Sequence, residues 1–179
     1  MTVSIEDVAE MFARMDERSL YKMSWGGRGQ DDAEYERIVA EEFLPRRTRM
    51  ERQAIAEGWI VPRATYGYFP ANRDGDDVVV FDPATDEEIA RFDFPRQRKP
   101  GGLCIADFFR DIDEPERDVI GLQVVTVGQH ASEVARAWFA DNRYKDYLYL
   151  HGLGVEMTEA LAEYVHKKIR AELGFADED

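Results

Sequence analysis

Cysteine occurs once in this chain, at Cys104, so no internal disulfide and no multi-cysteine metal site can form. Histidine is nearly as scarce. His130, His151 and His166 stand 21 and 15 residues apart, a spacing that fits no helix-face ligand set, and no metal site is expected. The sequence contains no G-x-G-x-x-G, no G-x-x-x-x-G-K-[ST] and no H-E-x-x-H, which takes away the dinucleotide, phosphate-loop and zinc-protease signatures. No run approaches the ~20 apolar residues of a membrane-spanning helix. The first seven residues lack a basic stretch followed by an apolar one, so the expectation is a cytoplasmic protein without membrane contact. Basic residues are outnumbered, 23 against 37 acidic, for a formal net charge of -14. That balance argues against nucleic-acid binding, which needs clustered Lys and Arg along the backbone contacts. Two short basic clusters, Arg46-Arg47-Thr-Arg49 and Arg96-Gln-Arg98-Lys99, read as solvated faces or as local docking points for an anionic partner.

What is present suits a folded domain. Of 179 residues, 44% are apolar and 12% aromatic, and a chain of this size buries roughly 70% of its unfolded surface. The pattern predicts one domain over 1–179, helical over 1–58, sheet over 59–127 and helical again over 132–173. Ser4-Ile-Glu-Asp7 reads as a capping-box variant, followed by Val8, Met11, Phe12 and Met15 at helical spacing. Residues 15–27 carry little amphipathic pattern. Asp31 and Asp32 can cap a charged helix to about Glu57, with Tyr35, Ile38, Val39 and Phe43 on one face and a kink or interruption at Pro45.

Two strand-forming runs, Thr65 to Phe69 and Val78 to Phe81, flank Pro70-Ala-Asn-Arg-Asp-Gly-Asp-Asp77, which predicts a β-hairpin whose first strand ends at Pro70. Ile89 to Phe94 alternates, so one solvated and one buried face are expected. Asp118 to Val127 is the most apolar strand and the expected centre of the sheet. Cys104, among Leu103, Ile105 and Phe108, reads as a small buried hydrophobe, and Asp107 as a cap of the next turn. Ser132 caps a helix through Ala140. Tyr144 to about Leu173 reads as one helix with Leu161, Val165 and Ile169 on its apolar stripe, although Gly152 and Gly154 each weaken it by about 1 kcal/mol relative to Ala. The last residues, from Phe175, should fray. The fold class is α+β: a mainly antiparallel twisted sheet, with N-terminal helices and a long C-terminal helix packed against it.

Several stretches carry a further signal. Tyr66-Gly-Tyr-Phe-Pro-Ala-Asn-Arg-Asp-Gly-Asp-Asp77 resembles a G-x-[YF]-P-[AV]-N-x-x-G-[DN]-D motif. Leu103-Cys-Ile-Ala-Asp-Phe-Phe109 is similar to a C-L-A-D-F segment, and Asp118-Val-Ile-Gly-Leu-Gln-Val-Val-Thr-Val-Gly128 to a D-x-[IV]-x-x-[FQ]-x-V-T-x-G strand. Thr158-Glu-Ala-Leu-Ala-Glu-Tyr-Val-His-Lys-Lys-Ile-Arg170 resembles an A-E-A-x-A-E-[YW]-x-H-x-x-[IV]-R helix, and Leu20-Tyr-Lys-Met-Ser-Trp25, more loosely, an aromatic segment ending in T-W or Q-W. Taken in their order along the chain, these stretches resemble the motifs of the reactivation domain of cobalamin-dependent methionine synthase.

The resemblance implies a single α+β domain that binds S-adenosylmethionine and presents its methyl group to cob(II)alamin. It implies two partners: a cobalamin-binding domain or subunit and a flavodoxin-type electron donor. The chain would then be part of a 5-methyltetrahydrofolate–homocysteine methyltransferase system. Carried over by position, Glu159 matches the family's helix glutamate that contacts the cofactor. A second acidic contact falls on Glu17 in an ungapped match, or on Asp16 with a one-residue slip. The family's R-x-x-x-G-Y-P-x-C-P motif, which follows its long helix, does not occur before Asp179. The expectation is that a further segment or another chain supplies that half of the site. A second reading, from a different class, is a non-catalytic docking module for a cobalamin domain or flavodoxin that binds no S-adenosylmethionine by itself.

Overall fold

The computed structural model describes residues 1–4 and 8–175, so the capping box over 4–7 and the tail beyond Phe175 fall largely outside the described residues. Five strands are present: β1 (Thr2–Ser4), β2 (Arg63–Asp74), β3 (Asp77–Phe81), β4 (Glu88–Asp93) and β5 (Asp118–Thr126). The β1–β2, β2–β3 and β3–β4 pairs are antiparallel, and β5 pairs β2. The helices are α1 (Val8–Arg14), α2 (Glu17–Ser19), α3 (Asp32–Ile38), α4 (Leu44–Ala56), α5 (His130–Ala140) and α6 (Tyr144–Leu173). This is the α+β class expected, with helices ahead of the sheet and a long helix at the end. The chain divides into two compact units, one made of Met1–Thr65 with Gln123–Asp179 and the other of Tyr66–Leu122.

The first unit is built on α6. Leu150, Leu153, Met157, Leu161 and Val165 recur every three or four residues and are almost wholly buried. Each such side chain contributes about 1.5–3 kcal/mol of hydrophobic stabilisation. Gly152 has a packing reason. A Cβ there would lie 2.9 Å from Ser24 Cβ and 3.0 Å from Trp25 Cδ1, so only glycine lets the 20–25 segment approach this closely. Trp25 Nε1 then donates to the Tyr149 carbonyl at 3.0 Å, and its ring stands edge-on to Tyr149 at 4.7 Å. Tyr21 and Phe43 complete the aromatic cluster.

Residues 15–27 show no 3.6-residue pattern because Leu20–Ser24 is a π-helical turn. Trp25 N–H bonds to the Leu20 carbonyl five residues back, which brings Leu20, Tyr21 and Trp25 to the core off the normal helical period. A second π-helical turn, Val39–Phe43, interrupts the helix expected over 31–57. That interruption ends just before Pro45, which sits in the first turn of α4, where its missing N–H is tolerated. Helix α5 starts two residues before Ser132, and β1 was not foreseen.

The second unit departs from the predicted hairpin. Strand β2 does not end at Pro70 but runs to Asp74, and the loop is only Gly75-Asp76 between the paired Asp74 and Asp77. Gly75 has φ +63°, which the first central position of a II′ turn requires. Pro70 lies outside both the segment paired with β1 (63–65) and that paired with β3 (71–74). Asn72, 0% exposed, donates through Nδ2 to the carbonyls of Asp111 (2.7 Å) and Glu116 (3.2 Å), tying the 110–117 loop to the strand.

The expected central strand is also different. No residue of β5 is fully buried, and Val124 is 74% exposed. The buried strand is β3, whose Val78, Val79 and Val80 lie between β2 and β4. Strand β4, last in the sheet order, is exposed on both faces rather than on one. Cys104 is buried with Ala71, Val78 and Ala106. Its thiol donates to the Phe94 carbonyl at 3.0 Å, and it caps a 3-10 turn in which Asp107 accepts the Cys104 amide at 3.0 Å.

Candidate functional site

The long helix positions the predicted glutamate. Glu159 stands exposed on α6, two positions after the buried Met157 and one before Ala160. It lines an open cleft of about 250 Å³ together with Asp16, Ser19, Glu156, Glu163 and Arg14, all from the first unit. Asp16 reaches this cleft as the N-cap of α2. Its Oδ1 accepts the amides of Arg18 (2.8 Å) and Ser19 (3.2 Å), and its Oδ2 accepts the Ser19 hydroxyl at 3.0 Å. The hydrogen bonds from Ser19, with that from Arg18, hold the Asp16 carboxyl below its ordinary pKa, so it is anionic at neutral pH.

Of the two alternatives for the second acidic contact, the structure brings Asp16 into the cleft with Glu159 and sets Glu17 elsewhere. Glu17 forms an ion pair with Arg47 and lines a separate groove with Tyr21 and Tyr35. Arg47 is only 8% exposed, and also bonds Glu51 (2.5 Å) and the Phe12 carbonyl (3.1 Å). The Arg46-Arg47-Thr-Arg49 cluster is therefore partly consumed inside the unit, with Arg46 bonded to Asp146 at 2.6 Å.

One residue of the cleft escaped sequence reasoning. Glu156 is 6% exposed and accepts the Ser24 hydroxyl at 2.8 Å through Oε1. Burial raises its pKa above the ordinary carboxylate range, and the charges of Glu159 and Asp16 push in the same direction. The only available signal was its place three residues before Glu159, on the same face of a helix. The one cation at the cleft, Arg14, is already bonded to Glu10 at 2.6 Å and lies over the Tyr164 ring at 5.2 Å. The result is a site with four carboxylates and one committed guanidinium. Such a donor set suits a ligand bearing positive charge and hydroxyl groups, not an anion. Among the described residues, no cluster of His, Cys, Asp and Glu is arranged to hold a metal ion, and no helix is long and apolar enough to cross a membrane.

Comparison with known proteins places this geometry in context. Residues 7–179 match the family model described as vitamin B12 dependent methionine synthase, activation domain. Methionine synthase of Mycobacterium tuberculosis (strain ATCC 25618 / H37Rv) is 44% identical over 94% of the chain, and that of Mycobacterium leprae (strain TN) is 42% identical over 94%. The chain spans 15% of the length of either relative. A crystal structure of the MetH reactivation domain bound to AdoHcy superposes with a TM-score of 0.76 at 27% identity, covering 95% of this chain and 55% of that one. The motif order, the α+β fold and these matches agree, and the chain belongs to the family of vitamin B12 dependent methionine synthase activation domains.

Proposed function

We propose that this domain holds S-adenosylmethionine in the Asp16–Glu159 cleft, in support of reductive reactivation of a cobalamin enzyme of methionine biosynthesis. The observation that carries the reading is the meeting of Asp16 and Glu159, 143 residues apart in sequence, at one cleft. Glu159 matches the family's helix glutamate by position, and Asp16 is the one-residue-slip alternative to Glu17 for the second acidic contact. AdoHcy in the related domain is the same ligand class without the methyl group.

The residues present fit the ligand. Carboxylates accept hydrogen bonds from an ammonium group and from ribose hydroxyls. Asp16 is fixed by three hydrogen bonds from the α2 turn, so little freedom is lost when it engages a ligand. Glu159, on a helix anchored by buried residues at 157, 160 and 161, is held in place by the same packing. When bound, S-adenosylmethionine supplies the methyl group for cob(II)alamin carried by a neighbouring cobalamin-binding domain, with an electron from a flavodoxin-type donor. The protein's task is orientation, which converts an encounter into a positioned transfer. In this reading the chain works in the cytoplasm as part of a larger methyltransferase, and family membership favours cofactor binding over docking alone.

Calorimetric titration with S-adenosylmethionine tests this, on the chain alone and on the chain joined to the segment that carries the R-x-x-x-G-Y-P-x-C-P motif, with a cobalamin-binding domain added. Glu159→Gln should weaken binding ten- to a hundredfold, the loss of a charge-assisted hydrogen bond of about 1.5–3 kcal/mol. Glu163 lines the same cleft and is no control; Glu133→Gln on α5 is. Absence of binding under both conditions, or equal affinities for the Glu159 and Glu133 variants, would overturn the assignment.

A further inference from the structure

Glu156 is the one carboxylate of the cleft that is buried, and it lacks a cation. None of the ion pairs among the described residues includes it, and its Oε2 receives no hydrogen bond there, Oε1 alone being taken by Ser24. A carboxylate with so little access to water is destabilised unless it is neutralised or paired, and Glu156 lines the cleft. The fold nevertheless goes to some length to place it. Gly152, one turn earlier on α6, is what admits Ser24 to within reach of Glu156. Nothing in the hydrophobic packing of α6 requires a glutamate at this position, since Leu153, Met157 and Leu161 carry the stripe.

We propose that Glu156 is the specificity-determining carboxylate of this cleft, favouring the positively charged sulfonium ligand over its neutral thioether product. The proposal rests on the reading of the cleft as an S-adenosylmethionine site. S-adenosylmethionine and S-adenosylhomocysteine differ by a methyl group and one positive charge. When the S–CH3 bond breaks, the electron pair stays on sulfur and the sulfonium becomes a neutral thioether. Only a group that senses charge at sulfur separates the two strongly, because a lost methyl in an apolar pocket discriminates modestly. Glu159 and Asp16 are exposed and their fields are screened by water. The field of Glu156, only 6% exposed, is screened far less. Binding of the cation would restore the missing countercharge, and methyl transfer would remove it again, so the product is held less tightly than the substrate.

The experiment is a pair of titrations, S-adenosylmethionine and S-adenosylhomocysteine, into the chain with its cobalamin-binding domain present, for wild type, Glu156→Gln and Glu159→Gln. Wild type should favour the sulfonium, and Glu156→Gln should cut that preference by about tenfold while changing thioether affinity little. Glu159→Gln should weaken both ligands together. The preference should also grow as pH rises through the range where Glu156 ionises, and should be flat for Glu156→Gln. The other groups facing it are Arg14 on α1, Asp16 and Ser19 on α2, Ser24, and Glu159 and Glu163 on α6, and all of these remain in that variant. Glutamine keeps the shape and an acceptor for Ser24, and a normal melting curve for the variant separates misfolding from lost selectivity. Equal losses for the two ligands in Glu156→Gln, or a preference that survives it, would overturn the proposal and leave the site reading intact. Binding of neither ligand by wild type would overturn both.

Discussion

Two groups of carboxylates in this chain live under opposite arrangements. In the second unit, Asp76 and Asp107 share the guanidinium of Arg96, with contacts of 2.7 Å to each, and all three are partly open to water. In the first unit, the buried Glu156 has only a serine hydroxyl, with Asp16 and Glu159 adding repulsion. A design aimed at stability would put the cation beside the buried acid, where screening is weakest, and leave the exposed ones to solvent. The reverse distribution separates acids that are neutralised within the fold from acids that are not. Asp76 and Asp107 have a cation of the same chain. Among the described residues, no ion pair includes Asp16 or Glu156, whose bonds are to neutral donors.

The strongest way to break that distinction is at Arg47, the buried cation that neutralises Glu17 and Glu51. Arg47→Met removes a 90%-buried partner from two carboxylates and one carbonyl, and should cost about 3 kcal/mol or more in urea denaturation. Glu17→Gln, at a side chain 59% exposed, should cost less than about 1 kcal/mol. Comparable losses for the two would mean that burial does not decide what a partner is worth. Next in size is Asn72→Ala, which removes both hydrogen bonds to the Asp111 and Glu116 carbonyls. A loss of about 2 kcal/mol is expected, with accelerated amide exchange over 110–117. Unchanged exchange there would show that the loop is held by something else.

A smaller effect concerns pH. The Arg96 guanidinium, helped by the Cys104 amide, holds Asp107 down to a pKa of about 2 from an ordinary 3.8. A depressed carboxyl stabilises the fold above its unfolded value and loses that contribution as pH falls through the folded one. The stabilisation should therefore be complete above about pH 4 and disappear towards pH 2. The Cys104 amide resonance, which reports on the bond to Asp107, should titrate near 2, and Arg96→Gln should move that midpoint upward. A midpoint near 4 in wild type would remove Arg96 from the argument.

The same contrast explains what the sequence made legible. The stretch that most strongly marked the family, residues 66–77, proves structural: its asparagine is a buried tie and its glycine a turn residue. Such positions are readable because backbone geometry restricts them to few residue types. The long helix and its apolar stripe were legible for a related reason, an uninterrupted period of 3.6. The two π-helical turns were not, because a five-residue hydrogen bond shifts Trp25 and Phe43 off that period. The exposure of β5 was hidden because hydropathy states how apolar a strand is, not what covers it. In the cleft, Glu159 came from motif position alone, whereas motif position left Glu17 and Asp16 as alternatives, of which only Asp16 lines the cleft with Glu159. Glu156 could not be found that way, since its character lies in burial that only the packing of Ser24 and Gly152 against α6 creates.

The smallest expected effect bears most directly on the contrast. Burial first, and then the charges of Glu159 and Asp16, raise the pKa of Glu156 in the folded chain. A carboxyl whose folded value exceeds its unfolded one contributes stability below the unfolded value, near 4.5, and loses it as pH rises through the folded value. Once ionised, Glu156 is thus a net cost in the ligand-free domain. Glu156→Gln removes the charge, keeps an acceptor for the Ser24 hydroxyl and has similar helix propensity. It should raise stability at pH 7, read as a higher melting temperature than wild type. The gain should vanish below about pH 4, where the wild-type side chain is neutral as well. Saturating S-adenosylmethionine should reverse the order, stabilising wild type more than the variant, because the ligand's cation then faces an ionised partner. A variant less stable than wild type at pH 7 without ligand would make Glu156 a structural acid like Asp107, and the two groups of carboxylates would no longer differ.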